Sequence, residues 1–364
     1  MALGAYIHIP FCNGKCPYCD FYSMNGDAQL KESYTKALIC EIEDYKGKSL
    51  VCDTLYFGGG TPLELGAERL CRVIEKAKEV FGKPKELTVE VNPGSSLAHA
   101  FSALAKSGVN RISIGMQSAV DSELKALGRK HTSEQVRTAV LEARAAGIDN
   151  ISLDIMLGIP LQTAQSLEYT VEFAAQLKVQ HLSAYLLKIE EGTPFYQRRE
   201  TLGYANDDQM ANFYEQMCTL AKRFGYDHYE ISNFARKGFE SAHNLKYWRC
   251  EEYLGIGCSA HSFFEGRRFF YPRDIKGYID GQVLPIDDGE GGSFEEYLML
   301  GLRLFEGISE KQCKERFGVE FSPHMMANIK MLCANGLAHY DGDSLALTEK
   351  GFLLSNEIIA MLLK

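Results

Sequence analysis

His8-Ile9-Pro10-Phe11-Cys12-Asn13-Gly14-Lys15-Cys16-Pro17-Tyr18-Cys19 sets three thiols within eight residues, directly after an apolar run, Ala5 to Pro10, that reads as a strand. One loop can therefore wrap three corners of a cubane, because soft thiolates are the ligands that iron–sulfur clusters require. Gly14 and Pro17 ease the tight path. A cluster that only carries electrons usually has four cysteine ligands, and here Asp20 and Phe21 follow instead. The expectation is a 4Fe-4S cluster on Cys12, Cys16 and Cys19 with one iron left open. A zinc site completed by His8 or Asp20 is the competing reading, disfavoured because CxxxCxxC is an unusual spacing for structural zinc.

Downstream of this loop the rhythm of the first strand repeats. Thr54 to Gly58, Leu87 to Asn92, Arg111 to Met116, Ile151 to Leu157 and His181 to Leu187 are short β-type runs. The stretches Ala67 to Val80, Ser133 to Ala146 and Ser166 to Leu177 carry apolar residues at helical spacing, and Asn92-Pro93, Gly108 and Gly147 supply breaks. Six strand–helix units predict an α/β fold, a partial (βα)6 TIM-like barrel, with a doubly wound sheet as the alternative that periodicity leaves open. The cysteine loop then lies at a strand's carboxyl end, where barrel sites are built.

After Glu190 the pattern changes to a helix over Asp207 to Phe224, a possible seventh strand at His228 to Ser232, and an aromatic, glycine-rich segment. The acidic stretch Val283 to Gly292 reads as a linker. Phe294 to Lys364 reads as three helices, a hairpin around Asp341-Gly342-Asp343 and a last helix, which resembles a winged helix. The expected domains are a barrel over 1–235, an extension over 236–292 and a small winged-helix-like domain over 293–364. That last segment holds seven Lys and Arg against ten Asp and Glu, the wrong sign for phosphate contacts.

Bulk properties agree with a globular protein: 364 residues, 46% hydrophobic and 24% charged, with a net charge of -9 that disfavours nucleic acid as a partner. No apolar run approaches the roughly 20 residues of a membrane span, and the start MALGAYIHIP lacks the design of a signal peptide. A cytoplasmic protein is expected, touching a membrane only through a partner. Of eleven cysteines, the eight outside the loop sit among apolar neighbours and read as small core residues.

The cysteine loop resembles the signature of the radical S-adenosylmethionine (SAM) superfamily. The resemblance implies that SAM chelates the open iron and that an electron from the cluster cleaves it to a deoxyadenosyl radical. Tyr56-Phe57-Gly58-Gly59-Gly60-Thr61-Pro62 is similar to the superfamily element that binds the methionine amino group, with glycines that let backbone approach a ligand. Glu90, Gln117, Arg129 and Asp154 sit at or just beyond later strand ends. Carboxylates suit ribose hydroxyls or an ammonium, and a guanidinium suits a carboxylate. Together with Tyr6 and Tyr18 they resemble the SAM-lining residues of oxygen-independent coproporphyrinogen III oxidase and its relatives. Gly158-Ile159-Pro160 is similar to a segment beside the adenine there.

Within that group, Ala242-His243-Asn244-Leu245-Lys246-Tyr247-Trp248 resembles the HNxxYW motif of HemW-type heme chaperones. It implies heme as a further ligand, with His243 on its iron, Cys250, Cys258 or His261 as possible second ligands, and Arg267, Arg268 or Arg273 beside propionates. The oxidases instead carry a long segment before the cysteines and a fourth cysteine where this chain has Phe21. The resemblance implies a heme carrier that serves an acceptor protein, respiratory or otherwise cytochrome-bearing, with the oxidase as the alternative.

Overall fold

Valine, isoleucine and leucine alternate with polar residues in the six expected strands, and each alternation gives a strand one dry face and one wet face. In the computed structural model, which describes residues 3–364, these become β1 (Leu3–Ile9), β2 (Cys52–Gly59), β3 (Glu86–Val91), β4 (Arg111–Gln117), β5 (Asn150–Leu157) and β6 (His181–Leu186). Neighbours pair in parallel and in chain order from β1 to β6. A sequential order is that of a barrel wall and removes the doubly wound alternative, whose order reverses midway.

Helices α1 (Ala28–Glu43), α2 (Ala67–Phe81), α3 (Ala98–Lys106), α4 (Asp121–Ala126), α5 (Ser133–Ala145) and α6 (Ala164–Gln176) lie in the crossovers. Ala5, Ile7, Ile9, Leu55, Phe57, Val89 and Ile112 are buried beneath them, each large one contributing about 1.5–3 kcal/mol. The opposite face lines the barrel with Tyr6, His8, Tyr56, Gly58, Glu90 and Asp154. The parallel register sets Tyr6 beside Tyr56 and Tyr56 beside Thr88. Local signals fix the helix starts: Thr132 opens α5 and Thr163 opens α6 with capping boxes.

After the short α7 (Pro194–Gln197) and the long α8 (Asp207–Arg223), β7 (Asp227–Glu230) and β8 (Asn233–Ala235) extend the sheet antiparallel beyond β6. The chain then returns to the other edge. Helix α9 (Ala242–Trp248) leads to β9 (Tyr253–Ile256), which pairs with β1 in parallel, and to the antiparallel strands β10 (His261–Phe264), β11 (Arg267–Phe270) and β12 (Ile286–Glu290), with α10 (Ile275–Ile279) between the last two. The acidic stretch expected as a linker is thus in part a strand: β11 offers unpaired backbone groups, and residues 286–290 satisfy them despite poor β propensity.

The C-terminal segment has α11 (Phe294–Gly301), β13 (Ile308–Ser309), α12 (Glu310–Phe317), α13 (Pro323–Ala334), β14 (Ala338–Tyr340), β15 (Ser344–Leu347), α14 (Glu349–Leu353) and α15 (Ser355–Leu362). Its three strands form their own small sheet. The expected hairpin turn is there: the Asp341 carboxylate accepts from the N–H groups of Asp343 (3.0 Å) and Ser344 (2.8 Å). The expected last helix is two, broken at Leu354. No helix among the described residues is long and apolar enough to cross a membrane.

Candidate functional site

β1 and β2 end side by side, and their backbones fix the site. Gly60 N–H donates to the Ile9 carbonyl (2.9 Å) and Thr61 N–H to that of Phe11 (2.7 Å), so the glycine turn is stitched to the root of the cysteine loop. A Cβ on Gly60 would lie 2.5 Å from the Phe11 carbonyl oxygen, and one on Gly59 would run into the His8 imidazole. Gly59 also has φ of 110°, which only glycine adopts readily. The Thr61 hydroxyl accepts from Asn92 Nδ2 (2.7 Å) and donates to Cys12 Sγ (3.8 Å).

Arg129 ties the loop to the far wall. Its Nη1 donates to Cys16 Sγ and to the Tyr18 hydroxyl (both 3.4 Å), its Nη2 to Asn92 Oδ1 (2.7 Å) and the Gly115 carbonyl (2.8 Å). With four N–H groups so engaged, Arg129 orients Cys16 rather than reaching freely for a carboxylate. Burial raises the Cys12 and Cys19 thiols above their ordinary value.

The three thiols line one cavity of about 560 Å³ together with Tyr18, Gly59, Gly60, Glu90, Gln117, Arg129 and Asp154. These ten residues, all singled out in the sequence, thus meet in one place. Burial pushes Glu90 up to about 7, with Asp154 adding to it, although the Tyr56 hydroxyl (2.8 Å) and Gly59 N–H (3.1 Å) donate to its carboxylate. Burial also pushes Asp154 up to about 6, against a bond from Ser113 (3.1 Å). Gln117 is a non-glycine residue at φ 69°, backbone strain placed at the cavity wall.

Tyr6 and Thr61 stand behind the lining. The Tyr6 hydroxyl bonds His8 Nδ1 (2.9 Å), and burial lowers His8 to about 4, which keeps that imidazole neutral. Ile159 lines a separate, smaller cavity of about 240 Å³ beside α8, so the segment matched to an adenine neighbour is only adjacent to the main cavity, through Met156.

His243 does not join the cavity. It lies on α9, which closes the barrel floor below Tyr56. The Glu86 carboxylate accepts the N–H groups of Ala242 and His243 (both 3.0 Å) at the start of that helix. The imidazole is 1% exposed, stacks on Tyr56 with ring centroids 5.1 Å apart, and bonds Thr54 Oγ1 through Nδ1 (2.8 Å) and the Tyr247 hydroxyl through Nε2 (2.7 Å). Burial lowers it to about 3. Both nitrogens are therefore engaged, and iron at Nε2 requires Tyr247 to leave it, a requirement the motif does not reveal.

Other expectations divide similarly. Cys250 and Cys258 are buried, whereas His261 is exposed and stacks on Phe270 (5.0 Å). Arg267 pairs with Asp287 and Arg268 with Glu296, while Arg273 reaches the cavity mouth and pairs with Asp20 (3.4 Å). Cys40 is exposed and Cys71 and Cys333 half-buried, because their helices turn those positions away from the core. Asn92, which bridges Arg129 and Thr61, gave no signal in the sequence beyond a break before proline. Neither did the rim, where Phe21, Tyr185 and Leu186 are 66%, 44% and 39% exposed beside Lys188 and Arg273.

Comparison with known proteins places this geometry. Residues 6–174 match the model of the radical SAM superfamily, and 294–354 match that of the HemN C-terminal domain. The heme chaperone HemW of Bacillus subtilis is 37% identical over 374 residues, covering 99% of this chain and 98% of the relative. The chain belongs to the HemW family. HemW of Lactococcus lactis (35% identical, covering 97% of this chain and 95% of the relative) and of Escherichia coli (32%, 99% and 98%) agree with this. Coproporphyrinogen III oxidase (HemN) from Escherichia coli superposes with a TM-score of 0.83 at 22% identity, covering 99% of this chain and 90% of that one. A HemW-family sequence thus sits on the HemN fold, and the radical SAM match spans the cysteine loop and five of the six parallel strands.

Proposed function

We propose that this protein is a heme chaperone that holds a 4Fe-4S cluster on Cys12, Cys16 and Cys19, binds SAM in the cavity behind it, and passes heme to an acceptor protein. The donor set fits the cluster: three thiols face one cavity, two of them already receive hydrogen bonds from Thr61 and Arg129, and no other cysteine lines it. When bound, such a cluster chelates SAM and supplies it with an electron. Arg129 and Thr61 hold the sulfurs in place, the Gly59–Gly60 backbone leaves room for the ligand, and Glu90 and Asp154 offer carboxylates to its cationic groups.

The observation that carries a heme carrier is the rim. Phe21 is the most exposed aromatic of the cavity lining, and it stands where the oxidases resembled by the sequence carry a cysteine. Phe21, Tyr185 and Leu186 form an apolar ledge, and Lys188 and Arg273 are held only by exposed pairs with Glu190 (2.6 Å) and Asp20 (3.4 Å), which cost little to break. A flat apolar macrocycle bearing two carboxylates finds both complements there.

Anaerobic heme titration of the cluster-loaded protein, with and without SAM and then with candidate acceptors, tests this reading. Phe21→Asp and Arg273→Glu are each expected to weaken heme binding about tenfold with iron content unchanged. Parallel titration of His243→Ala decides whether the motif histidine ligates iron: loss of the axial-imidazole spectrum assigns it to an opened form of α9, and an unchanged spectrum assigns iron elsewhere. The fold match to HemN favours the oxidase as the second reading. Formation of protoporphyrinogen from coproporphyrinogen and SAM would overturn the chaperone.

SAM affinity is expected to rise with pH. SAM brings sulfonium and ammonium charges that favour ionised Glu90 and Asp154, and these titrate as a coupled pair near about 7 and about 6. Protons held by the pair at lower pH must leave on binding, so affinity drops by up to about tenfold per pH unit between about 7 and 6, where one proton leaves, and by up to about a hundredfold per unit below about 6, where two do. Without SAM the sign reverses for stability: the folded state holds more protons than the unfolded one between the ordinary carboxylate range and about 7, so stability falls as pH rises through that window. Calorimetric SAM titrations and urea melts across the same pH range read both slopes.

A further inference from the structure

Away from the cavity, three donor groups from distant parts of the chain converge where the C-terminal segment meets the barrel. Cys218 comes from α8, His228 from β7 and Glu349 from the first turn of α14. A thiol sulfur, an imidazole nitrogen and a carboxylate oxygen lie within 4.8 Å of one another, with Cys218 Sγ 3.9 Å from His228 Nδ1. Among the described residues no other group of three such side chains is this compact.

The imidazole of this cluster is held firmly, with Nδ1 the nitrogen that faces Cys218 Sγ. His228 Nε2 is buried with no hydrogen-bond partner, while its ring is fixed between aromatic neighbours, stacked on Phe234 at 4.3 Å and edge-on to Phe352 at 5.4 Å. Phe352 belongs to the same helix as Glu349.

We propose that Cys218, His228 and Glu349 form a site for a divalent transition metal of the zinc type, which clasps the C-terminal segment to α8 and β7. Sulfur, nitrogen and carboxylate oxygen are the ligand atoms zinc takes, and at bond lengths of about 2.0–2.3 Å a tetrahedron sets its donors about 3.3–3.6 Å apart. Closing the present triangle by about 1 Å reaches that geometry, and water completes it. Binding forms three metal–ligand bonds and releases the Cys218 proton to solvent, with no change of oxidation state. The site uses none of the residues that line the cavity, so its metal is separate from the iron of the cysteine loop.

The test uses the full-length protein with its cluster in place, incubated with zinc, desalted and analysed for zinc and iron together. The expected result is one zinc per chain in addition to the cluster iron. Cys218→Ser and Glu349→Gln should each weaken zinc binding about tenfold or more with iron unchanged, and zinc should raise the melting temperature of the parent chain but not of the variants. Glu349 is half-buried, so Glu349→Gln keeps the result readable if Cys218→Ser fails to fold. No retained zinc, zinc retained equally by both variants, or zinc lost only together with iron overturns the proposal.

Discussion

Cys16→Ser is expected to strip the protein of its iron, from about four atoms per chain to near none, with loss of the visible sulfur-to-iron absorption. Cys12, Cys16 and Cys19 are the cysteines that line the cavity, so removing one leaves two soft ligands on a loop that has no replacement. The serine oxygen is a hard donor with a high pKa, and the Arg129 Nη1 that now points at Cys16 Sγ would stabilise a hydroxyl no better than water does. The fold should persist, since Cys16 is only half-buried. Cys40→Ser, at an exposed helical position, is the control and should retain full iron. Zinc in place of iron in the anaerobically purified parent chain would sink the cluster assignment.

His243→Ala should destabilise the fold by about 2–5 kcal/mol, whatever its effect on heme. The substitution removes a ring that is 1% exposed and stacked on Tyr56, so a cavity opens at the barrel floor. It also leaves the Thr54 hydroxyl, itself 1% exposed, and the Tyr247 hydroxyl without their partner. Tyr247→Phe separates the two contributions: it frees Nε2 without emptying the floor, costs about 1 kcal/mol, and offers iron an unengaged nitrogen. Urea unfolding of the two variants measures the difference. A loss below about 1 kcal/mol for His243→Ala would show that the floor is not packed as described.

The same residue marks how far the sequence could be read. The cysteine loop, the glycine turn and the strands that carry them were legible because their signals are local: a spacing of three thiols, a run of glycines, an alternation of period two. The shared cavity was legible by extension, since a barrel brings strand ends to one mouth. His243 was not, because its environment is made by Thr54, 189 positions away, and by a helix tucked under the sheet. Arg129 was expected to meet a ligand, yet its donors are taken by Asn92, Gly115, Cys16 and Tyr18, a set assembled from two loops and strand β4. The acidic stretch before the C-terminal segment hid a strand, because its pairing is imposed by the open edge of β11 rather than by its own residues.

That strand has a consequence for the behaviour of the molecule in a crowded solution. A twelve-stranded open sheet ends in two rows of backbone groups that could recruit another chain. One row, at β7, is covered from within by residues 303–305, whose backbone bonds Tyr229 and Ile231. The other row belongs to β12, which is short, largely exposed and carries Asp287, Asp288 and Glu290. A second copy pairing there would set carboxylate against carboxylate along the new ladder. The sheet therefore finishes in a strand that binds its own neighbour and repels a copy of itself, and aggregation by edge pairing is opposed at the place where the barrel leaves it open.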